Sequence, residues 1–197
     1  MDSKSIILDR VRKNKPSSKL PVDHAQFLIE KSEKDIVADF CSNLEANDGS
    51  WLMADNNEML TDLLTKEVEN KSFVDLFGLI NTGQGVDISK INHPRELAHV
   101  KVLIVPGKVG VAENAAVWIE DEMIRNVRVL PFIVERTIII LQKREVVASM
   151  HHAYQKLANV KTGFGTFIAG PSKTGDIELN LVIGAHGALS HLVILVD

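Results

Sequence analysis

The chain has 197 residues, 45% of them hydrophobic and 24% charged, so it is long enough to bury a core and too apolar to be disordered throughout. The formal net charge is −4, and the few aromatic residues do not alternate with Lys or Arg, which argues against a nucleic-acid-binding surface. The single cysteine, Cys41, excludes an intrachain disulfide, a cysteine-ligated iron–sulfur cluster and a four-cysteine zinc site within this chain.

The first residues predict a short amphipathic helix over 4–14, followed by a linker that contains Pro16 and Pro21. We assign 1–22 to this N-terminal extension and 23–197 to one domain. The polar N-terminus is not typical of a signal peptide, and no run approaches the roughly 20 apolar residues that cross a bilayer. We therefore expect a cytoplasmic protein without a membrane span.

The remaining pattern alternates between helices and short apolar strands. Helices are predicted over 32–46, after a cap at Asp55, over 94–100 and over 145–157. Strands are predicted over 50–54, 73–77, 101–105, 114–119, 137–141, 166–169, 179–183 and 192–196. Strands that are apolar on both faces and separated by helices are typical of a largely parallel sheet covered on both sides, so we predict a three-layer α/β/α fold.

The stretch GPSKTGDIE, residues 170–178, is the most informative part of the chain. A buried strand stops at Gly170 and Pro171, and small polar residues follow. If a helix begins here, its free N–H groups and the positive end of its dipole favour an anion, with Ser172, Lys173 and Thr174 as further donors. The alternative is a well-capped turn that binds nothing. The stretch is not a Walker A loop, because that motif needs a Lys directly after its second Gly.

Two carboxylates follow that turn, Asp176 and Glu178. They can orient Lys173, bind a hydroxyl group or act as a base.

The sequence GAHG, residues 184–187, is a second candidate because it separates two apolar strands. Gly184 and Gly187 permit close approach of backbone or ligand, and His186 can carry a proton near neutral pH. A purely structural His186 is the equal alternative. A metal site is not expected, since the only neighbouring histidine, His191, comes without suitably spaced carboxylates.

Glu113 is a third candidate, placed at the start of a predicted strand in VGVAENAAVWI. A carboxylate at a strand end can act as a nucleophile or a general base, although a solvated Glu is the commoner outcome.

Together, VAENAAVWI, RNVRVLPF, FIAGPSKTGDIE and GAHGALSHLVILV resemble the LUD domain family, and within it the lactate utilization protein C (YkgG) group. The resemblance runs from about Ile36 to the end. It implies a fold akin to the glucosamine-phosphate isomerase, ribose-phosphate isomerase and CoA-transferase group. It also implies a part in oxidising L-lactate to pyruvate beside separate iron–sulfur proteins, with no cofactor in this chain and the clusters in its partners.

The resemblance also assigns residues. Those that match the two family motifs are Gly170, Pro171, Ser172, Thr174, Asp176, Ile177, Glu178, Gly184, His186 and Gly187, while Lys173 stands where Arg is also common. From their chemistry we take Glu113, Asp176 and His186 as the candidate catalytic groups. The candidate binding residues for a small anion are Gly170, Pro171, Ser172, Lys173, Thr174, Glu178, Gly184 and Gly187. Two departures are Asn114-Ala115-Ala116 in place of Thr-Gly-Thr, and Ala188 in place of Pro.

Three functions stay open from the sequence. The chain is a component of a lactate-oxidising system, a stand-alone enzyme acting on a sugar phosphate or an acyl-CoA through Glu113, or a non-catalytic module that binds a small carboxylate or phosphate. The fold group alone does not decide between them.

Overall fold

The computed structural model describes residues 3–15, 28, 32–80, 82–91, 93–125, 127–161, 163–175 and 181–197. The helices are α1 (Ser3–Lys13), α2 (Glu33–Ala46), α3 (Asn57–Glu67), α4 (Leu130–Ile133) and α5 (Met150–Leu157), with 3₁₀ segments at Ile88–Lys90, Pro94–His99 and Lys143–Glu145. The strands are β1 (Ser50–Ala54), β2 (Phe73–Asp75), β3 (Val102–Pro106), β4 (Val109–Val111), β5 (Ala116–Glu120), β6 (Arg136–Gln142), β7 (Val146–Val147), β8 (Gly165–Ile168), β9 (Lys173–Gly175), β10 (Leu181–Ile183) and β11 (Ser190–Val196).

The centre of the fold is a five-stranded sheet in the order β1-β11-β6-β3-β2, in which every neighbouring pair is parallel. Val193 of β11 lies between Trp51 and Ile139 in this register. The inner strands consist almost entirely of buried Ile, Val and Leu, the residue types that favour a sheet covered on both faces. The predicted parallel sheet is confirmed.

The two faces of this sheet carry separate hydrophobic cores, because successive side chains of a strand point to opposite sides. Ile138 and Ile194 pack with Leu64 of α3 on one face. Ile139 and Val193 pack with residues of α2 on the other face, where a second sheet also lies. Helices therefore cover both faces, which confirms the α/β/α prediction.

The end of α2 matters for the site described below. The N–H of Asn47 closes the helix by donating to the carbonyls of Asn43 and Leu44, and the following residue, Asp48, adopts φ +59°. Gly49 then passes so close to Leu44 that a Cβ on it would lie 2.4 Å from Leu44 Cδ1. The chain turns directly into β1 and leaves the Asn47 and Asp48 side chains at the helix end.

The second sheet has the order β7-β4-β5-β8 and is mixed: β5 is antiparallel to β4 and β8, and β7 is parallel to β4. Its strand β8, which the sequence analysis counted with the parallel sheet, is an edge of this smaller sheet. The helix expected over 145–157 starts only at Met150, because Val146 and Val147 pair with Gly110 and Val111 as β7. The helix predicted from Asp55 is capped by the next residue, Asn56, whose side chain accepts from Met59 N.

A separate hairpin follows β8. Its strands β9 and β10 are antiparallel, with Thr174 opposite Val182, and neither pairs with another sheet in the described part of the chain. The expectation that a helix begins within the GPSKTG stretch is therefore wrong. Its physical reason is that Lys173–Gly175 use their backbone groups in a ladder with Leu181–Ile183.

Candidate functional site

The turn between β8 and β9 is pressed against the end of α2. Gly170 adopts φ +95°, and a Cβ at this position would lie 2.5 Å from the carbonyl oxygen of Asn47. Both the left-handed conformation and the lack of space require glycine here. Pro171 is buried directly after it. The position of the turn is thus set by the helix end.

Ser172 joins this turn to the GAHG loop. Its N–H donates to the carbonyl of Ala188 at 2.8 Å, and its carbonyl accepts the N–H of Gly184 at 2.9 Å. A Cβ on Gly187 would lie 3.0 Å from Ser172 Cβ and 3.3 Å from Ser172 Oγ. The two sequence motifs are therefore in contact, although strands β9 and β10 separate them along the chain.

Gly184 has its own constraint, since it adopts φ +77° and a Cβ there would collide with Leu189 Cδ2 at 2.1 Å. The loop that follows leaves backbone donors unused. In the stretches that the structure describes, the N–H groups of Ala185, His186 and Gly187 have no hydrogen-bond partner. Adjacent free N–H groups in a glycine-containing loop are typical donors for an anion.

Lys173 provides the positive charge at this site. It is the first residue of β9, and its Nζ lies 2.7 Å from Asp48 Oδ2 at the end of α2. The Lys173 side chain is 26% exposed and that of Asp48 is 59% exposed, so this ion pair lies at the surface. An anion that binds here must share Lys173 with Asp48.

His186 is exposed and lines a cavity of about 760 Å³ on the outer side of the loop. Phe132, Ile133 and Leu189 form apolar parts of the cavity wall, and Arg95 contributes a guanidinium group. The loop leads into the amino end of β11 and does not follow the carboxyl end of a strand of the parallel sheet.

Glu113 lies on the turn between β4 and β5, not on a strand, since β5 begins only at Ala116. Its side chain is exposed, and among the described residues no hydrogen bond or ion pair joins it to Lys173 or His186. The turn itself is fastened to α2, because Asn47 Nδ2 donates to the carbonyl of Asn114 at 2.9 Å. One helix end thus contacts both this turn and Gly170.

The departure at Asn114-Ala115-Ala116 has a visible consequence. Ala115 is fully buried and adopts φ +54°, a conformation that glycine reaches without strain and alanine does not. Asn114 offsets part of this cost through its Oδ1, which accepts the N–H of Ala116 at 3.1 Å. The loss of hydroxyl groups on this turn leaves Ser172 and Thr174 as the hydroxyl donors of the candidate residues.

Asp176 and Glu178 fall outside the described residues, so their predicted roles stay predictions. No sequence pattern indicated the roles of Asn47 and Asp48. The carbonyl oxygen of Asn47 lies against Gly170, and Asp48 pairs with Lys173. The run Asn47-Asp48-Gly49 was interpreted only as the end of a helix.

A buried polar pair lies on the neighbouring strands. Thr137 Oγ1 is 2.6 Å from His191 Nδ1, and Ser50 Oγ donates to the His191 carbonyl at 3.2 Å. Burial, and secondly the positive charge of Arg136, lower the pKa of His191 to about 4. Arg136 is itself held by Glu67, whose Oε2 lies 2.8 Å from its Nε. His191 is therefore neutral at physiological pH and belongs to the sheet.

The described stretches contain no group of three or more His, Cys, Asp or Glu side chains that could hold a metal ion. None of their helices has the length and apolar character needed to cross a bilayer.

The sequence profile of the LUD domain matches residues 37–196, which include the GPSK turn, the GAHG loop and the whole parallel sheet. The chain belongs to the LUD domain family. The match begins one residue after the Ile36 expected from the motifs and leaves α1 outside the shared domain.

Curated relatives in this family carry the name lactate utilization protein C. The protein from Shouchella clausii is 39% identical over 79 residues, which cover 37% of this chain and 33% of that protein. The one from Geobacillus thermodenitrificans is 32% identical over 95 residues, 45% of this chain and 39% of the relative. The matched regions thus span only about a third of the length of these relatives.

A solved structure supports the fold. A DUF162 family protein from Deinococcus radiodurans superposes with a TM-score of 0.69 and covers 85% of this chain and 100% of its own. At 14% identity this likeness concerns the fold alone.

Proposed function

We propose that this LUD domain protein is a component of an L-lactate utilization system, that it takes part in oxidising L-lactate to pyruvate with iron–sulfur partner proteins, and that it binds a small anion where the GPSK turn meets the GAHG loop. The name shared by the curated relatives supports the pathway. The single cysteine fits a system in which other proteins hold the iron–sulfur clusters, because the electrons removed from lactate need an acceptor and this chain cannot ligate a cluster with cysteines.

The main support for the proposed anion site is the contact between the GPSK turn and the GAHG loop. Ser172 is hydrogen-bonded to Gly184 at the start of the GAHG loop and to Ala188 just after it, and among the described residues the N–H groups of Ala185, His186 and Gly187 have no hydrogen-bond partner. In the proposed complex the carboxylate of lactate accepts from these N–H groups, from the Ser172 hydroxyl and from Lys173, whose positive charge strengthens the contact. In this proposal His186, which lines the adjoining cavity, takes the hydroxyl proton, while the C2 proton and the two electrons pass to an acceptor supplied by the partner proteins.

The proposed pathway is tested by deleting the gene in the native host and measuring growth on L-lactate as sole carbon source. We expect growth to be lost and to return with the wild-type gene but not with a Ser172→Ala, Lys173→Ala double variant. Lys90→Ala is the matched control, since Lys90 is an exposed lysine paired with Asp87 outside the site. Unchanged growth of the deletion strain would contradict the pathway.

The proposed partners are tested by affinity purification from lactate-grown cells. Iron–sulfur proteins should co-purify with the wild-type chain in stoichiometric amounts and be recognised by their visible absorption. A chain that purifies alone from cells growing on lactate would contradict this part of the proposal.

A non-catalytic ligand-binding module is the second candidate. It is favoured by the position of Glu113, which is exposed on a turn of its own and has no described contact with the lysine or histidine of the site. An acyl-CoA enzyme needs an activated carboxylate. If Glu113 has this role, incubation with acetyl-CoA and hydroxylamine leaves a hydroxamate on Glu113. An unmodified Glu113 together with retained anion binding would favour the module.

A further inference from the structure

The N-terminal helix α1 has an exposed apolar stripe. Ile7, Leu8 and Val11 fall on one side of the helix at the spacing of adjacent turns, and every residue of α1 is exposed. A helix of 11 residues is marginal in water by itself. It gains stability by packing this stripe against an apolar surface.

An apolar groove of about 630 Å³ lies between α2 and the edge strand β1. Its walls are formed by Val37, Ala38, Cys41, Trp51 and Met53. Cys41 is buried at the bottom, while Met53 is exposed. An edge strand flanked by such a groove is a surface that proteins normally cover.

The length and charge of the groove fit α1. Its lining runs along α2 from Glu33 to Glu45, a rise of about 18 Å, and α1 is about 16 Å long. Arg10 and Arg12 flank the apolar stripe, whereas the glutamates at the two ends of the groove are negative. The contact between Arg12 and Asp9 at 3.7 Å is solvent-exposed and does not compete strongly.

The other charges at the groove set the direction of the helix. Lys143 lines the groove and is neutralised by Asp197, whose Oδ1 is 2.7 Å from its Nζ. The first turn of α2 carries Glu33 and Asp35 against one positive charge, Lys34, so it is net acidic and attracts the basic end of α1. An antiparallel arrangement brings these ends together and places Leu8 over Cys41.

We propose that α1 docks antiparallel to α2 in the groove of its own chain. The connection consists of residues 14–32, and a chain of that length can reach across on the order of 60 Å. A tether of this kind gives an effective concentration in the millimolar range, which favours the attached helix over a second copy. Because α1 lies outside the LUD match, it adds a helix to the shared domain and covers its open edge.

Cys41 provides a direct test, since it is the only cysteine of the chain and lines the groove. In the full-length chain, Leu8→Cys should form a disulfide with Cys41 under mild oxidation, because the docked helix brings the two Cβ atoms to about 4 Å. Asp9→Cys, on the opposite side of α1, is the matched control and should stay reduced. Burial, and then the Glu45 carboxylate, raise the pKa of Cys41, so the oxidation is run near pH 9.

Non-reducing electrophoresis and peptide mass mapping distinguish the outcomes. A monomeric product linking position 8 to Cys41, with the Asp9→Cys chain unlinked, is the expected result. A disulfide-linked dimer would overturn the proposal in favour of a second copy as occupant. Equal crosslinking of both variants would also overturn it, because α1 would then have no preferred face.

Alkylation of Cys41 is a second test of docking, which does not require the two cysteines to reach disulfide geometry. An Ile7→Asp, Leu8→Asp chain should react with N-ethylmaleimide about tenfold faster at Cys41, which corresponds to about 1.4 kcal/mol of docking energy. Asp9→Asn should react at the wild-type rate. If the double variant also reacts at the wild-type rate, and Leu8→Cys forms no disulfide, α1 does not occupy the groove.

Discussion

The parallel sheet and the GPSK–GAHG region are stabilised in different ways. Residues of β6 and β11 such as Ile139 and Ile194 are fully buried and packed on both sides. In the β9–β10 hairpin, by contrast, Leu181, Val182 and Ile183 are all exposed. The hairpin is held by backbone hydrogen bonds and by the close fit of Gly170 and Gly187. Burial of apolar side chains therefore stabilises the parallel sheet, while a few tight contacts shape the GPSK–GAHG region.

Matched isoleucines give the largest expected difference between the two regions. Ile194→Ala in β11 removes a side chain that is 0% exposed and should lower the free energy of unfolding by about 4 kcal/mol. Ile183→Ala in β10, where the side chain is 45% exposed, should cost no more than about 0.5 kcal/mol. Urea denaturation measures both. Similar losses would show that the hairpin is part of the core.

The buried histidine of the sheet gives the next largest effect. Folded His191 has a pKa of about 4, below its ordinary value of 6.5, so only the unfolded chain takes up the proton as the pH falls below 6.5. Stability is complete above that pH and should decrease by about 3 kcal/mol in total on going down to pH 4.

Chemical denaturation at pH 6 and pH 5 tests this. His191→Gln should reduce the pH dependence of the unfolding free energy by about 1.4 kcal/mol per unit. Thr137→Ser keeps both the hydroxyl partner and the histidine, and should retain the wild-type dependence. An unchanged dependence in His191→Gln would place the titrating groups elsewhere.

The tight fit of the turn predicts a smaller loss. Gly170→Ala should cost about 2 kcal/mol, because alanine resists φ +95° and its Cβ would press on the Asn47 carbonyl. Gly175→Ala, in the same hairpin, meets nothing within 4 Å and is the control. Thermal melts of the two variants compare them. Equal melting temperatures would mean that α2 does not position the turn.

The smallest stability effect is expected at the lysine of the site. The ion pair between Lys173 and Asp48 is partly exposed, so Lys173→Ala should change the unfolding free energy by less than about 1 kcal/mol. A larger loss in a urea titration would assign Lys173 a mainly structural role.

The sequence predicts the strands of the parallel sheet better than it predicts the β9–β10 hairpin. Continuous apolar runs such as those around Ile139 and Val193 identify strands of a covered parallel sheet, and these were correct. The stretch from Lys173 to Gly175 has no such pattern and adopts a strand because of a partner that lies beyond it in the chain. Glycines and polar residues there fit a helix start or a hairpin equally well, so local propensity could not decide.

The candidate site was predicted in part for a similar reason. Motif spacing identified Ser172 and Gly187, which the structure brings into contact. The roles of Asn47 and Asp48 depend on contacts across more than 100 residues, which no local pattern contains. Glu113 was grouped with the site through the family resemblance. The structure places it on the separate turn between β4 and β5, which also contacts the end of α2.

Isothermal titration of L-lactate into the purified chain tests whether the GPSK turn and the GAHG loop bind an anion. We expect saturable binding to the wild-type protein, at least tenfold weaker binding to Ser172→Ala and to Lys173→Ala, and wild-type binding to Lys90→Ala, with all four chains folded by circular dichroism. Parallel titration of inorganic phosphate distinguishes a carboxylate site from a general anion site. Wild-type affinity in both Ser172→Ala and Lys173→Ala, or no binding of either anion to the wild-type chain, would contradict the proposed anion site.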